Sequence, residues 1–411
     1  MFSVKHIVRL LSHLFAVGLV LCQTFLCGSA QESKPALSSA ALQFTSGQSA
    51  RRIPFEFVGN HIYLRARVNG SGPLWFLLDT GATSSYFDAQ QAKALGLGIQ
   101  GESKTVVLNL PGVRLRNQTF SIQPLGFGIY DGHAVDGMLG YDFISRFVIE
   151  INYANRTINL FAPQTYKHLG SGEAVPLTML ADDSGGKVPL VQATIFQPGR
   201  EPLAGKFIAD TGARGALSFN SPFVAANKLL QSTAKTIQAP LGGGSMVRES
   251  QQPVGRVPSL QVGSFQFKNP VAVFFLDKQG VLASPDFDGV IGGEIWRRFK
   301  VVFDYSRRQM ILKPNRRFSE TDEYDMSGLL LIAGGSDRKT LQVKHLIEDS
   351  PAGMAGLREG DVIAAVNGRP AAKLSLEQVR RMFKQEGQSY RLSINRGDER
   401  MQLRIRLRRL I

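Results

Sequence analysis

Apolar and polar residues alternate along much of the chain. HIYLRARV at 61–68 and LVQATIF at 190–196 read as strands with one buried face, and glycine and proline turns separate such stretches. Two short helical patterns interrupt them, DAQQAKALGL at 88–97 and SPFVAANKLL at 221–230. Each follows an apolar run that ends in an aspartate: FLLDTGATSSYFD at 76–88 and FIADTGARGALSFN at 207–220. The pattern predicts a mainly β chain in which two buried strands each deliver a carboxylate to their own ends.

The chain repeats itself on a larger scale. DGMLGYDFISRFVIEINYANRTINL at 136–160 aligns without a gap on DGVIGGEIWRRFKVVFDYSRRQMIL at 288–312, with Asp136/Asp288, Gly140/Gly292 and Tyr153/Tyr305 among the identities. In both copies a DTGA segment precedes the aliphatic-glycine segment, so the repeating unit is a whole lobe. Asp79 to Asp136 is 57 positions and Asp210 to Asp288 is 78, so the second lobe carries 21 more residues (78 − 57). A short helix is expected after each aliphatic-glycine triplet, before RFVIEINY and RFKVVFDY resume as strands.

Near Ser319 the pattern changes. GLLLIA, DSPAGMAGLREGDVIAAVNG and the helical SLEQVRRMF form a separate α+β unit of about ninety residues, an ordinary domain size.

The first thirty residues hold Lys5 and Arg9, an apolar run from Leu10 to Leu26, and small Gly28 and Ala30 before Gln31, the layout of a secretory signal peptide. The expected location is the periplasm or exterior of a bacterial cell, with membrane contact only where that segment stays uncleaved. Cys22 and Cys27 both lie in it, so a mature chain has no disulfide, no cysteine nucleophile and no cysteine-zinc site. The net charge of +15 becomes +13 without Lys5 and Arg9, and its basic residues are scattered. Nothing has the form of a phosphate-cradling loop, a zinc helix or an aromatic platform for bases, so no nucleic-acid partner is expected. The histidines include no pair at metal-ligand spacing, and no metal or organic cofactor is expected.

Two carboxylates within hydrogen-bond reach do not both ionise readily, because like charges hold the second proton tightly. Such a pair combines a general base with a general acid. Asp79 and Asp210 are the candidates. Gly81 and Gly212 let the chain turn and approach its counterpart, and Thr80 and Thr211 offer hydroxyls to brace one turn against the other. Met138-Leu139 and Val290-Ile291 are expected to pack beneath.

Asp-Thr-Gly after apolar residues, with a later aliphatic-aliphatic-glycine, resembles the aspartic proteases, twice over residues 51 to 316. Ala82 and Ala213 after the glycines make the motif DTGA, closest to the retropepsin-like branch, while two lobes on one chain resemble pepsin. The resemblance implies a two-lobed pair of β-barrels related by a pseudo-twofold axis, with Asp79 and Asp210 as catalytic dyad and a peptide or protein as substrate. Candidate covers are the first-lobe hairpin around VVLNLPGVRL and the second-lobe QAPLGGGSMVRES, where Gly242, Gly243 and Gly244 form a tip. The C-terminal unit resembles a PDZ domain over 325–408. That likeness implies a peptide-binding loop at Gly328, Leu329, Leu330 and Leu331, beside which a peptide adds as a strand.

The resulting organisation is a signal peptide at 1–30, a flexible leader at 31–50, lobes at 51–166 and 167–318, and a PDZ domain at 319–411. The leading expectation is an exported aspartic endopeptidase whose PDZ module binds or positions substrate. The alternatives are a catalytically silent peptide-binding scaffold and an envelope adaptor that uses the PDZ unit alone.

Overall fold

A computed structural model describes residues 41–242, 249–335 and 337–411. The signal-peptide segment, most of the expected leader, and Gly243 and Gly244 lie outside the described residues. Among the described residues no helix is long and apolar enough to cross a membrane.

The chain is mainly β. Its centre is an antiparallel sheet to which both lobes contribute. Strands Ser49–Val58, Thr157–Phe161 and Val148–Asn152 come from the first lobe, and Phe299–Asp304, Gln309–Pro314 and Glu173–Ala181 from the second. The seam between lobes is the pairing of Val148–Asn152 with Phe299–Asp304, the two stretches that the repeat aligns with one another. Both alternate toward one apolar core, which Ile149, Ile151, Val301 and Phe303 join.

Each lobe places its aspartate by the same device. Strand Leu74–Leu78 lies parallel to Gly137–Leu139, and Leu203–Ala209 lies parallel to Gly289–Ile291. A parallel neighbour cannot be reached by a tight hairpin, so the later segment must return from a distance. That return is why the aliphatic-glycine triplet falls far downstream of DTGA. The repeated Asp136 and Asp288 hold the incoming strands. Their carboxylates accept from the amides of Trp75 and Lys206, each at 2.7 Å. Asp88 and Asn220 cap the helices Ala89–Ala94 and Ser221–Ala226.

The 21 extra residues of the second lobe have a place. Strand Val68 pairs with Leu108 in the first lobe as Ala193–Phe196 pairs with Ser259–Val262 in the second. The hairpin Ser103–Leu110 and Val113–Gln123 therefore corresponds to Ser259–Val262 and Phe265–Lys268, not to a cover. Leu42–Phe44 pairs along its outer strand, and Gly112 at its tip abuts Ala50. The expectation of a first-lobe cover at VVLNLPGVRL is corrected accordingly: that hairpin is lobe wall. The additional element is the hairpin Thr236–Leu241 and Ser250–Arg256, 21 residues from end to end (256 − 236 + 1).

The expected flexible leader is also corrected at its C-terminal end. Leu42 and Phe44 point inward to the core, the latter edge-on to Phe147, and strand Ser49–Val58 begins before residue 51.

The C-terminal unit has its own core and its own sheet, in the order Leu329–Gly334, Thr340–Leu346, Val362–Val366, Ser389–Arg396, Glu399–Arg406. Strand Leu329–Gly334 is at the edge, paired on one side only. Helix Leu376–Met382 packs beside it, begun by a capping box of Ser375 and Gln378.

Candidate active site

The strands that carry Asp79 and Asp210 end facing each other across the seam. Asp79 and Asp210 each donate a backbone amide to the aliphatic strand beside them, at Leu139 and Ile291, both at 3.0 Å. The chain then turns, and the amides of Gly81 and Gly212 donate to Asp79 Oδ1 at 2.8 Å and Asp210 Oδ1 at 2.6 Å. The two carboxyls hydrogen-bond one another.

The glycines are required by contact. A methyl group on Gly81 would stand 2.6 Å from the Asp210 carboxyl carbon, and one on Gly212 would collide with Asp79 in the same way. Gly140 and Gly292 lie equally close to the backbone of Ser84 and of Ala213 and Gly215. Met138 and Leu139 are buried beneath the first turn, as Ile291 is beneath the second.

Thr80 and Thr211 interlock beneath the carboxyls. The Thr80 hydroxyl donates to the Ala209 carbonyl (2.7 Å) and accepts from the Thr211 amide (2.9 Å). The Thr211 hydroxyl donates to the Leu78 carbonyl (2.7 Å) and accepts from the Thr80 amide (3.1 Å). Four buried backbone groups are satisfied across the seam, which fixes the separation of the two turns.

Both carboxyls sit deep in the protein yet keep part of their surface open. Burial, the Asp210 charge and the hydrogen bond that protonated Asp79 donates to Asp210 push Asp79 well above the usual carboxylate range. Burial raises Asp210 too, with the Gly212 amide and the bond to Asp79 pulling against it. A pair of this kind holds one proton across a wide pH range. Ala82 and Ala213 bring no hydroxyl to either carboxyl. The aligned Tyr153 and Tyr305 are buried and kept neutral by burial and by the aspartate charge nearby.

A turn from each lobe's first hairpin reaches across to the opposite Asp-Thr-Gly loop. Asn60 Nδ2 donates to the Arg214 carbonyl and to Glu294 Oε2, both at 3.0 Å. From the other side Asp182 bonds Thr83, and Gly186 packs against it.

Several residues at this junction carry no sequence signal that singled them out. Asp131 is buried and bonded by His61 Nδ1 (2.6 Å), Tyr63 and Arg214. Burial pushes its carboxyl up, but the His61 ring and the Arg214 guanidinium outweigh that and hold it well below the usual range. Arg214 directly follows DTGA, which is the one hint the sequence offers. Gly242 packs on the Tyr130 ring, and Glu249, across from it at the turn end of the extra hairpin, bonds the Tyr130 hydroxyl, His345 Nε2 (3.2 Å) and Lys344 Nζ (3.4 Å). Among the described residues no group of three or more His, Cys, Asp or Glu is arranged to hold a metal ion.

Gly328 has a φ of +81° and leads into the edge strand of the C-terminal unit. Its amide and that of Ser327 donate to the half-buried Asp325 carboxyl (2.7 and 2.9 Å), and the Leu329 amide donates to the Ser327 hydroxyl (3.2 Å). The loop at Gly328 and Leu329 is thus already supplied with acceptors by its own chain.

Residues 64–143 match the family model described as an aspartyl protease, and residues 329–395 match that of the PDZ domain. No curated protein matches the chain. Among solved structures, that of the aspartic proteinase from Irpex lacteus is similar at 12% identity and a TM-score of 0.41, over 67% of this chain and 99% of that one. The chain carries an aspartyl protease-like domain and a C-terminal PDZ domain.

Proposed function

We propose that this protein is an exported aspartic endopeptidase that hydrolyses peptide bonds with Asp79 and Asp210. The observation that carries the reading is the close approach of two carboxyls, both raised by burial, across two glycines that each leave room for the opposite aspartate. A buried like-charged pair is costly and serves no packing purpose.

The chemistry follows from one shared proton. The ionised carboxylate accepts a proton from a water molecule, whose oxygen attacks the peptide carbonyl carbon. The protonated carboxyl gives its proton to the carbonyl oxygen, forming a tetrahedral diol. Its collapse breaks the C–N bond: the carboxyl that took the proton from water gives it to the leaving amine nitrogen, while one diol hydroxyl returns its proton to the other carboxylate, which restores the dyad's single shared proton. Since an interacting pair titrates as a unit, the two roles belong to the dyad and not to one named residue.

The test is incubation of the purified protein with a random peptide library, with products mapped by mass spectrometry. Cleavage is expected for the native chain, and loss of all but a small residue of it for Asp79→Asn and for Asp210→Asn, with the fold intact by circular dichroism. Cleavage that survives in either variant removes the dyad. Binding of peptides without cleavage by the native chain favours the scaffold reading.

A further inference from the structure

The edge strand Leu329–Gly334 and helix Leu376–Met382 form the groove to which a peptide would add, and the first lobe lies against it. The short helix Gly128–Asp131 packs along the edge strand. Gly132 follows with a φ of +66°, and a methyl group there would stand 3.2 Å from Ala333 Cβ and 3.3 Å from Leu376 Cβ, one residue from each wall of the groove. Arg380 of the groove helix divides its guanidinium between two carbonyls. One is Leu331 of the edge strand (2.9 Å) and the other is Tyr130 of the first lobe. Arg338 adds a bond to the His133 carbonyl at 2.8 Å.

From these contacts we infer that the PDZ groove is a dock for the catalytic domain of its own chain, and that Arg380 is a positioning residue for the active-site loop. The groove meets an internal segment and not a chain terminus. Two of the loop's four amides, those of Gly328 and Leu329, already donate to Asp325 and Ser327. The residue of the docked segment that stands between Ala333 and Leu376 is a glycine in the left-handed region.

The path to the chemistry is a sequence of direct bonds. Arg380 holds the Tyr130 carbonyl, and Arg214 donates to the same carbonyl at 2.9 Å. Asp131, the next residue, pairs with Arg214, which lies four positions beyond Asp210 (214 − 210) in the catalytic loop. Arg214 is in turn fixed through its own carbonyl by Asn60. Release of the groove removes the Arg380 bond and leaves the Tyr130 carbonyl to Arg214 alone, so one of the supports that set the Asp210 turn is lost. Small errors in such positioning act on the chemical step more than on binding. An external segment that enters the groove must displace the first lobe and therefore lowers activity.

This inference rests on the proteolytic reading only for its kinetic readout, so the test has a second, independent one. Cys22→Ser and Cys27→Ser leave the full chain without cysteine. Into that chain Gly132→Cys and Ala333→Cys are placed; their Cβ atoms would stand 3.2 Å apart, just under the usual disulfide range of about 3.5–4.5 Å, so the bond forms with a shift of a few tenths of an ångström. Mild oxidation is expected to form the cross-link in nearly all molecules, and more slowly when Arg380→Ala is added. In the chain without the cysteine pair, Arg380→Ala is expected to lower kcat on a short peptide roughly tenfold with KM unchanged. Arg380→Lys should recover part of the loss, and the oxidised cross-link should restore the Ala variant. A pair of reactive thiols that fails to cross-link overturns the docking. Cross-linking with kcat unaffected by Arg380→Ala, or by the double variant with Arg338→Ala, overturns the positioning role. If the native chain cleaves nothing, the proteolytic reading alone fails and the cross-link still decides the docking.

Discussion

Gly81 faces the Asp210 carboxyl at a distance that admits no side chain, with a Cβ built on it 2.6 Å from Asp210 Cγ. Neither Gly81 nor Gly212 needs a positive φ, so alanine is acceptable to the backbone at both positions and unacceptable only to the opposite aspartate. Gly81→Ala and Gly212→Ala should each lower kcat/KM on a cleavable peptide by about a hundredfold or more, because the dyad must part to make room. Gly72→Ala, in open space, serves as the control. Retained activity in either variant would show that the carboxyls work farther apart than they stand here.

The pH optimum should be mildly acidic to near neutral. Burial raises both aspartates, and Asp79 is raised further by its neighbour's charge. Activity requires one ionised carboxyl, so a raised first ionisation moves the acid limb of kcat/KM upward, and activity is lost as pH falls through it. Ala82→Ser or Ala213→Ser offers the ionised carboxylate a new donor. A hydrogen bond to a charged group contributes about 1.5–3 kcal/mol, or about one to two pKa units. The acid limb should therefore move downward in both serine variants. A native acid limb near pH 2, or no movement in either variant, would assign the pKa to other donors.

Removing one hydroxyl of the threonine interlock should be costly. Thr80→Val keeps the shape but leaves the Ala209 carbonyl and the Thr211 amide buried without partners, at about 1–3 kcal/mol each. The loss should appear as a lower urea midpoint with an unchanged slope, and Thr80→Ser should recover most of it. Equal midpoints for Val and Ser would mean that packing, not hydrogen bonding, holds the turns together.

The meeting of Asp79 and Asp210 was legible because its requirement is local and occurs twice. A buried strand, an aspartate and a glycine stand consecutively in each lobe, and the downstream triplets share a frame. The groove and the cover were less legible for physical reasons. VVLNLPGVRL and the hairpin from Thr236 to Arg256 have the same strand-turn-strand pattern, and only the difference of 21 residues between lobes tells wall from addition. Leu42 and Phe44 are too few to announce a strand, since their burial depends on Phe147 and on a partner more than seventy positions away (115 − 42). Asp131, Arg214 and Arg380 are ordinary charged residues in the sequence. Their importance arises from one carbonyl, that of Tyr130, on which two guanidinium groups converge.

The seam between the lobes has a consequence for how the protein holds together. Glu150 pairs with Val302, and both are the same position of the repeat, 152 residues apart (302 − 150, as 288 − 136). Ile151 pairs with Val301 and Ile149 with Phe303, which are again one pairing read from either side. The interface is therefore isologous, of the sort that joins two identical subunits about a twofold axis. The interlocked Thr80 and Thr211 meet about the same relation. The connection from Ala162 to Gly172 joins halves that already hold each other through strands, core and hydroxyls. A single proteolytic nick there should leave one non-covalent particle, catalytically competent and of unchanged size in gel filtration, that separates into two fragments only in denaturant.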